Sequence, residues 1–197
     1  MAHIEDPSTG YKASVTKRNE LKTFAVTESE SEFANTKGDV YNINSGEITS
    51  LSAGDASLIY FYNDEDVDYV LSAVAVGIRG FTGLSDMATV TIIRNPTGGD
   101  LISDATAVSI NSNSNFGSSR TTSTGTLAYK GKAAGTISGG ADHAIIYIGN
   151  NSRVFATIPI EIPKGSAIAV KIDSDATAGS AYCALVGYFK DAIRENS

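Results

Sequence analysis

The feature that most restricts the fold of this chain is the alternation of apolar and polar residues in its last quarter. Apolar side chains occupy every second position from Val154 to Ile162 and again from Ile168 to Ile172. A period of two places one apolar row on one face of a β-strand. Pro163-Lys164-Gly165-Ser166 separates these runs as a turn would, and Tyr182 to Phe189 alternates in the same way. We expect three strands that form one wall of a sandwich.

Similar signals recur through the middle of the chain. Ser57 to Tyr62 is apolar on both faces, which is typical of a strand covered on both sides. Tyr69 to Ile78 and Ala88 to Arg94 read as further strands, and Ala144 to Ile148 reads as a buried strand. Counting all such runs gives about eight core strands, none followed by a convincing helix. We therefore predict an all-β fold, an antiparallel β-sandwich of jelly-roll type.

The N-terminal part predicts an appendage to this body. Met1 to Gly10 has no hydrophobic period, so we expect an extended N-terminal arm that is mobile or ordered by a partner. Tyr11 to Val15 and Leu21 to Val26 both look extended, and the polar residues Lys17 to Glu20 between them suit a hairpin loop. We divide the chain into an arm and hairpin region, residues 1–50, and a sandwich domain, residues 51–197.

Two stretches between the hairpin and the body have ambiguous patterns. Glu28 to Thr36 carries alternating glutamates and serines, which favours a solvated surface segment, with a helix as the alternative. Val40 to Asn44 and Glu47 to Leu51 both look extended. The intervening Asn44-Ser45-Gly46 predicts a tight turn between two strands.

From Ser103 to Thr126 the composition changes to Ser, Thr, Asn and Gly. Such a segment is either a disordered low-complexity linker or a long loop held against the sandwich by a few apolar side chains. The second interpretation is favoured because apolar residues are interspersed. The candidate anchors are Val108, Ile110, Phe116 and Leu127.

Charge and cysteine content exclude several classes of partner. The formal net charge of −7 disfavours nucleic acid and anionic membrane as partners. The single Cys183 cannot form an intrachain disulfide, and its apolar strand predicts a buried, inert thiol. Met1 to Gly10 shows no secretory signal, and the longest apolar stretch, Val70 to Ile78, is half of a membrane span. We expect a soluble protein.

Histidine chemistry has little support in the sequence. The two histidines are His3, in the arm, and His143, which follows Asp142 at the start of a strand. Asp142-His143 could belong to a catalytic dyad, but no nucleophile elbow accompanies it, so an exposed histidine at a strand end is the favoured interpretation. Ser14-Val15-Thr16-Lys17 spells S-x-x-K without the further motifs of enzymes that use it.

Asp64, Asp66 and Asp68 form the most concentrated acidic patch. Their spacing opens like a calcium-binding loop, but Tyr69 stands where that loop needs glycine and Ala75 where it needs glutamate. A solvated turn is favoured, and a cation bridging to a neighbouring subunit is the alternative. The sequence also lacks Cys/His clusters for zinc and phosphate-binding glycine motifs. We predict no catalytic, cofactor or metal site.

Several short motifs, in one order over nearly the whole chain, carry a family resemblance. They are Gly10-Tyr11-Lys12-Ala13-Ser14-Val15, Asn19-Glu20-Leu21, Asn115-Phe116-Gly117-Ser118-Ser119, Tyr129-Lys130-Gly131, Gly139-Gly140, Pro163-Lys164-Gly165-Ser166 and Val186-Gly187-Tyr188-Phe189. Together they resemble the opening, middle and last hairpin of virion structural proteins of tailed bacteriophages, in particular head-associated proteins. The acidic run Glu28 to Glu32 departs from that pattern.

The resemblance implies a non-enzymatic structural role. Its implied function is that of a capsid decoration or cement protein, a homotrimer that binds the major capsid protein on the outer surface of the phage head. The implied location is the virion, after synthesis in the host cytoplasm. A rigid fold, a self-association surface and an arm that reaches a neighbour suffice for such a role.

Two other functions stay open at this point. The chain could be a tail, baseplate or fibre component that binds a host-surface glycan, with Phe81 and Phe116 as the loop aromatics that stack on sugars. It could also be an enzyme such as a polysaccharide depolymerase that uses a carboxylate pair, for which Asp100 and Asp142 are candidates. The enzyme is the least favoured of the three.

Overall fold

The computed structural model describes residues 3–5, 12–15, 21–22, 29–103, 106–107, 112–113 and 121–190. Fourteen strands and two short helices lie in these ranges. In chain order they are β1 (His3–Glu5), β2 (Lys12–Val15), β3 (Leu21–Lys22), α1 (Glu30–Lys37), β4 (Val40–Ile48), β5 (Gly54–Tyr62), β6 (Tyr69–Thr82), β7 (Ala88–Arg94), α2 (Asp100–Ser103), β8 (Thr106–Ala107), β9 (Ser112–Asn113), β10 (Leu127–Lys130), β11 (Ala141–Ile148), β12 (Arg153–Ile162), β13 (Ala167–Ser174) and β14 (Ala178–Phe189).

Two antiparallel sheets form the body. The six-stranded sheet has the order β11-β7-β13-β5-β10-β8, and the five-stranded sheet has the order β12-β6-β14-β4-β9. Without the short strands β8, β9 and β10, each sheet keeps four strands in the order of an eight-stranded jelly roll. The predicted all-β sandwich with about eight core strands is confirmed.

The expectation that the last three strands share one wall is wrong. β12 and β14 lie in the five-stranded sheet, whereas β13 lies in the six-stranded sheet between β7 and β5. In a jelly roll most successive core strands cross from one sheet to the other, so neighbours in sequence face each other across the core. Alternation identifies each strand but does not specify its sheet.

The inward rows of the two sheets make the core as the alternation predicts. Cys183, Leu185 and Phe189 of β14 point inward with the apolar row of β13. Tyr69 lies at the centre, with its ring centroid 4.7 Å from that of Phe61 and 5.0 Å from that of Phe189. Its hydroxyl donates a hydrogen bond to the carbonyl oxygen of Tyr41 at 3.2 Å, so the buried phenol is satisfied. Burial raises the pKa of Tyr69.

The predicted turn at Asn44-Ser45-Gly46 is wrong, because β4 continues through it as a bulge. Asn44 Oδ1 accepts a hydrogen bond from the Gly46 amide at 2.8 Å, and Gly46 has φ of 67°. The Ser45 hydroxyl turns inward and accepts the amide of Cys183 at 2.9 Å. The same local chemistry that makes a tight turn therefore makes a bulge here, because β14 pairs on both sides of it.

A second irregularity changes the faces of β6. The pairing register shifts between Leu71 and Ala73 against both neighbouring strands. Leu71 and Val74 consequently both point into the core, while Ala75 and Gly77 face outward. Strict alternation would put Leu71 and Val74 on opposite faces, because a period of two cannot anticipate an extra residue.

The N-terminal strands form a small sheet of their own. β1 pairs with β2, and β2 pairs with β3, all antiparallel. The predicted hairpin is confirmed for Lys12–Val15 and Leu21–Lys22, while its loop, 17–20, lies outside the described residues. Within the expected arm, His3–Glu5 forms a strand. The sandwich already includes β4, so its first strand precedes residue 51.

Helix α1 shows that the helical alternative for the acidic run is the one adopted. The Glu32 amide donates to Ser29 Oγ at 3.3 Å, and the Ser29 amide donates to the Glu32 carboxylate at 3.0 Å, which together make a capping box. The Ser29 amide and the Ser29 hydroxyl both donate to the Glu32 carboxylate, and these two bonds lower the pKa of Glu32. Gly38, with φ of 82°, ends the helix in the left-handed region. In the sequence, a serine followed three residues later by a glutamate is typical of a capping box, and this spacing of Ser29 and Glu32 indicates the start of the helix.

Two short strands from the segment between β7 and β11 join the two sheets. β8 pairs with β10 in the six-stranded sheet, and β9 pairs with β4 in the five-stranded sheet. From α2, Leu101 packs with Tyr60, Ala167 and Ala169 in a second apolar cluster on the outer face of the six-stranded sheet. β5 is therefore covered on both sides, as predicted. Of the expected anchors, Leu127 is exposed, and the other three lie outside the described residues.

Asn63 joins the turn after β5 to the turn between β12 and β13. Its buried side-chain amide donates to the carbonyl oxygens of Ile162 at 2.8 Å and Val67 at 3.0 Å, and its Oδ1 accepts the Glu65 amide at 2.9 Å. Its backbone carbonyl accepts the amide of Gly165 at 2.8 Å. All polar atoms of this buried side chain are thus satisfied at one end of the sandwich.

Replacement of Asn63 by Asp should lower the free energy of unfolding by about 3 kcal/mol, because two donors are lost and a carboxylate faces two carbonyl oxygens. Chemical denaturation at pH 7 measures the loss. Asn151→Asp is the matched control, because within the described ranges the Asn151 side chain makes one hydrogen bond, in which its Oδ1 accepts the Gly80 amide at 2.8 Å. Equal stability of the two variants would contradict the organising role of Asn63.

Candidate binding surface

The two sides of the sandwich differ in how they are closed. On one side β10 lies against β4, Lys130 Nζ donates to the carbonyl oxygen of Glu47 at 2.6 Å, and β8 and β9 add outer strands. On the opposite side β11 and β12 end their sheets and are joined by residues 149–152. Among the described residues no strand lies beyond β11 or β12.

Apolar side chains concentrate on that second side. Ile145 and Tyr147 of β11 are 53% and 64% exposed on the outer face. Ala144, Ile146, Val154 and Ile158 pack against the core from β11 and β12 and are only half-buried. We call these six residues the open edge. The prediction that Ala144 to Ile148 is a buried strand is therefore wrong for Ile145 and Tyr147.

The backbone of the open edge is protected against simple strand addition. β11 has a bulge at His143, between Asp142 and Ala144. β12 carries Pro159, which has no amide hydrogen, at the point where its pairing with β6 shifts. Edge strands with bulges and prolines resist extension of the sheet by another strand. A partner at the open edge would therefore be held mainly by side-chain packing.

A groove lies on the outer face of the five-stranded sheet. Phe155 of β12 and Tyr182 of β14 form its walls, with exposures of 65% and 37%. Its floor is Ala75 and Val76 of β6, and its volume is about 440 Å³. We call it the Phe155–Tyr182 groove.

Gly77 and Arg153 shape one end of this groove. Arg153 pairs with Gly77, and Gly77 pairs with Tyr182, so the three residues lie in one row across the sheet. The Tyr182 ring lies directly over Gly77, where a β-carbon would overlap it. Arg153 is exposed, lines the groove and forms no ion pair with any residue that the structure describes.

The residues weighed for catalysis lie apart from this groove. Asp142 and His143 are exposed at the start of β11, in the six-stranded sheet. Asp100 accepts hydrogen bonds from the amide and the hydroxyl of Thr136 at 3.3 and 3.4 Å, so its carboxylate holds a loop.

The aromatic residues weighed for sugar stacking do not serve that role in the described part of the chain. Phe81 is only 4% exposed, and its ring lies against Gly179, so the expectation that it is an exposed loop aromatic is wrong. Phe116 lies outside the described residues. Phe155 and Tyr182 were missed, although each stands at an outward position of an alternating strand, where an aromatic residue is an unusual choice.

The carboxylates in the turn between β5 and β6 contact different partners. Asp66 pairs with Lys164 Nζ at 2.6 Å, and this contact lowers the pKa of Asp66. Glu65 accepts the Thr126 hydroxyl at 2.9 Å and thereby holds the segment before β10. In the described ranges no three acidic, histidine or cysteine side chains come together as metal ligands. The interpretation as a turn accounts for these contacts.

Cys183 is buried in β14, which confirms the predicted buried thiol, and burial raises its pKa. We expect native protein to react with 5,5′-dithiobis(2-nitrobenzoic acid) at least about a hundredfold more slowly than unfolded protein, because reaction requires opening of the strand. A Leu127→Cys substitution combined with Cys183→Ala gives the matched exposed thiol. Equal rates for the two native thiols would contradict the burial.

Comparison with protein-family models, with curated proteins and with solved structures finds no match to this chain. The longer of the two helices that the structure describes has eight residues, and neither could span a bilayer.

Proposed function

We propose that this chain is a non-enzymatic structural protein of a tailed-phage virion, of the decoration or cement type. It assembles as a homotrimer and binds the major capsid protein on the outer surface of the head. The observation that carries the proposal is the open edge, an apolar surface on an otherwise acidic jelly roll. The motif resemblance described above supports the assignment to a virion.

Self-association accounts for the open edge better than solvent exposure does. Half-buried core side chains and exposed Ile145 and Tyr147 occur together there, whereas the opposite side is closed by β10, β8 and β9. Contiguous apolar patches on soluble folds mark interaction sites. In a closed ring of three copies, each open edge contacts the same surface of the next copy, so no open edge stays exposed to solvent.

Attachment to the head uses a different part of the chain. The β1–β2–β3 sheet is separate from the two sheets of the sandwich and precedes them in sequence. An N-terminal element of this kind can contact the shell or an adjacent copy while the sandwich stays rigid. The net charge of −7 on the whole chain disfavours a general affinity for nucleic acid.

Charge placed at the open edge should dissociate the trimer. We expect wild-type protein to sediment as three copies and the double variant Ile145→Lys, Tyr147→Lys to sediment as one, because six lysines in the ring would repel and lose apolar contact. Analytical ultracentrifugation measures the mass. Leu127→Lys, on the closed side, is the matched control and should remain trimeric. A monomeric wild-type protein would contradict the proposed assembly.

The copy number in purified particles tests the place in the virion. A protein that covers a symmetric head should be present at a copy number on the order of hundreds per particle. Quantitative mass spectrometry of particles from the producing phage measures it against the major capsid protein. A few copies per particle would contradict decoration of the head.

A second candidate function is a tail, baseplate or fibre component that binds a host-surface glycan. The Phe155–Tyr182 groove favours it, because exposed aromatic walls beside a guanidinium are suited to a sugar. A low copy number together with glycan binding would support this candidate over the first. The protein could instead be present at high copy number while heads that lack it are as stable as wild-type heads. That result would support neither the cement function nor the glycan-binding function.

A further inference from the structure

We infer that the Phe155–Tyr182 groove is a binding site for a saccharide that carries a carboxylate. The inference goes beyond the proposed structural role, because an outward groove of this kind is compatible with a head protein and with a tail protein. It depends on three features of the groove: two aromatic walls, a floor without protruding side chains, and one unpaired cation.

The walls and the floor suit the apolar face of a sugar ring. Phe155 and Tyr182 stand on strands of one sheet, so the spacing of their rings is set by the strands and not by a mobile loop. Between them β6 contributes Ala75, whose small side chain leaves the sheet surface open. Rigid aromatic groups beside a shallow, preformed hollow bind ring-shaped ligands with little loss of conformational entropy.

Gly77 sets the position of the Tyr182 wall. The tyrosine ring lies directly on the glycine backbone, and any β-carbon at this position would displace it. The orientation of the wall therefore depends on the missing side chain of residue 77. This contact provides a way to change the groove without removing either aromatic ring.

Arg153 supplies the preference for a carboxylate. Its guanidinium lines the groove in the same row as Gly77 and Tyr182, and it has no acidic partner among the described residues. Glu47, the next residue of that row on β4, is engaged by the Ser180 hydroxyl at 2.7 Å. An arginine binds a carboxylate through two parallel hydrogen bonds, so a uronic-acid ring on the floor can place its charge there.

A second copy of the chain is a less suitable occupant. Its seating would bury the Arg153 guanidinium without a partner unless the copy presented an acidic side chain, and burial of an unpaired charge is unfavourable. Ile145 and Tyr147 of the open edge, on the other sheet, already offer exposed apolar side chains for self-association. Val154 belongs to the open edge and also lines the groove, so the variants that separate the two surfaces are those of Ile145 and Tyr147, on the other sheet, and those of Phe155 and Arg153.

The experiment compares methyl β-glucuronide with methyl β-glucoside, which differ in the carboxylate. We expect the glucuronide to bind wild-type protein with a dissociation constant in about the millimolar range and the glucoside at least about tenfold more weakly, by NMR titration. Phe155→Ala and Gly77→Ala should each weaken glucuronide binding at least about tenfold. Arg153→Gln should make the two probes bind alike. Leu127→Ala, which changes an exposed apolar residue on the closed side of the sandwich, is the control and should bind like wild type.

Three results would overturn the inference. The first is the absence of binding by both probes, and the second is unchanged glucuronide binding by Phe155→Ala and Arg153→Gln. The third is a change in sedimentation mass of Phe155→Ala without saccharide binding by wild type, which would assign the groove to an interface between copies. If the Gly77→Ala variant does not fold, glucuronide binding by the Phe155→Ala variant alone tests the role of the aromatic walls. None of these outcomes bears on the Ile145 and Tyr147 variants, so failure of this inference is distinguishable from failure of the proposed assembly.

Discussion

The burial of Tyr69 between the two sheets is the contact on which the rest of the sandwich depends. A chain without tryptophan must fill the space between two sheets with tyrosine and phenylalanine, and the Tyr69 ring joins Phe61 of the six-stranded sheet to Phe189 of the five-stranded sheet. The hydroxyl of Tyr69 needs an acceptor in the core, and the carbonyl of Tyr41 supplies it. Tyr69 thus fills the core with its ring, and the hydrogen bond of its hydroxyl also fixes the position of β4.

The location of the two candidate surfaces follows from this arrangement. A jelly roll closed by the inserted segment on one side leaves β11 and β12 as the ends of their sheets on the other. Side chains that would be fully buried in central strands, such as Ile146 and Val154, are only half-buried there. The groove arises from a different cause, because the bulge in β6 turns Ala75 toward the outer face, where it lines the groove, and Gly77 to the position beneath the Tyr182 ring.

Alternation in the sequence predicted the strands well, because burial of one face enforces a period of two, as in the rows of β13 and β14. It failed where a bulge adds a residue, as at Asn44 to Gly46, and where all residues are apolar, as in Ala144 to Ile148. A uniformly apolar run does not reveal that its strand lies at an edge. The groove was not predictable either, since Phe155 and Tyr182 come together only through pairing of distant strands.

The central position of β14 has a consequence for biosynthesis. β14 is the last core strand to be made, and it lies between β6 and β4, which do not pair with each other. Until the ribosome has released Ala178–Phe189, the nascent chain holds two unsatisfied strand edges that only this strand can join. Closure of the five-stranded sheet must therefore wait for β14, with a rate limited by closure of long loops. A truncated product that ends before β14 would expose those edges and be prone to aggregation.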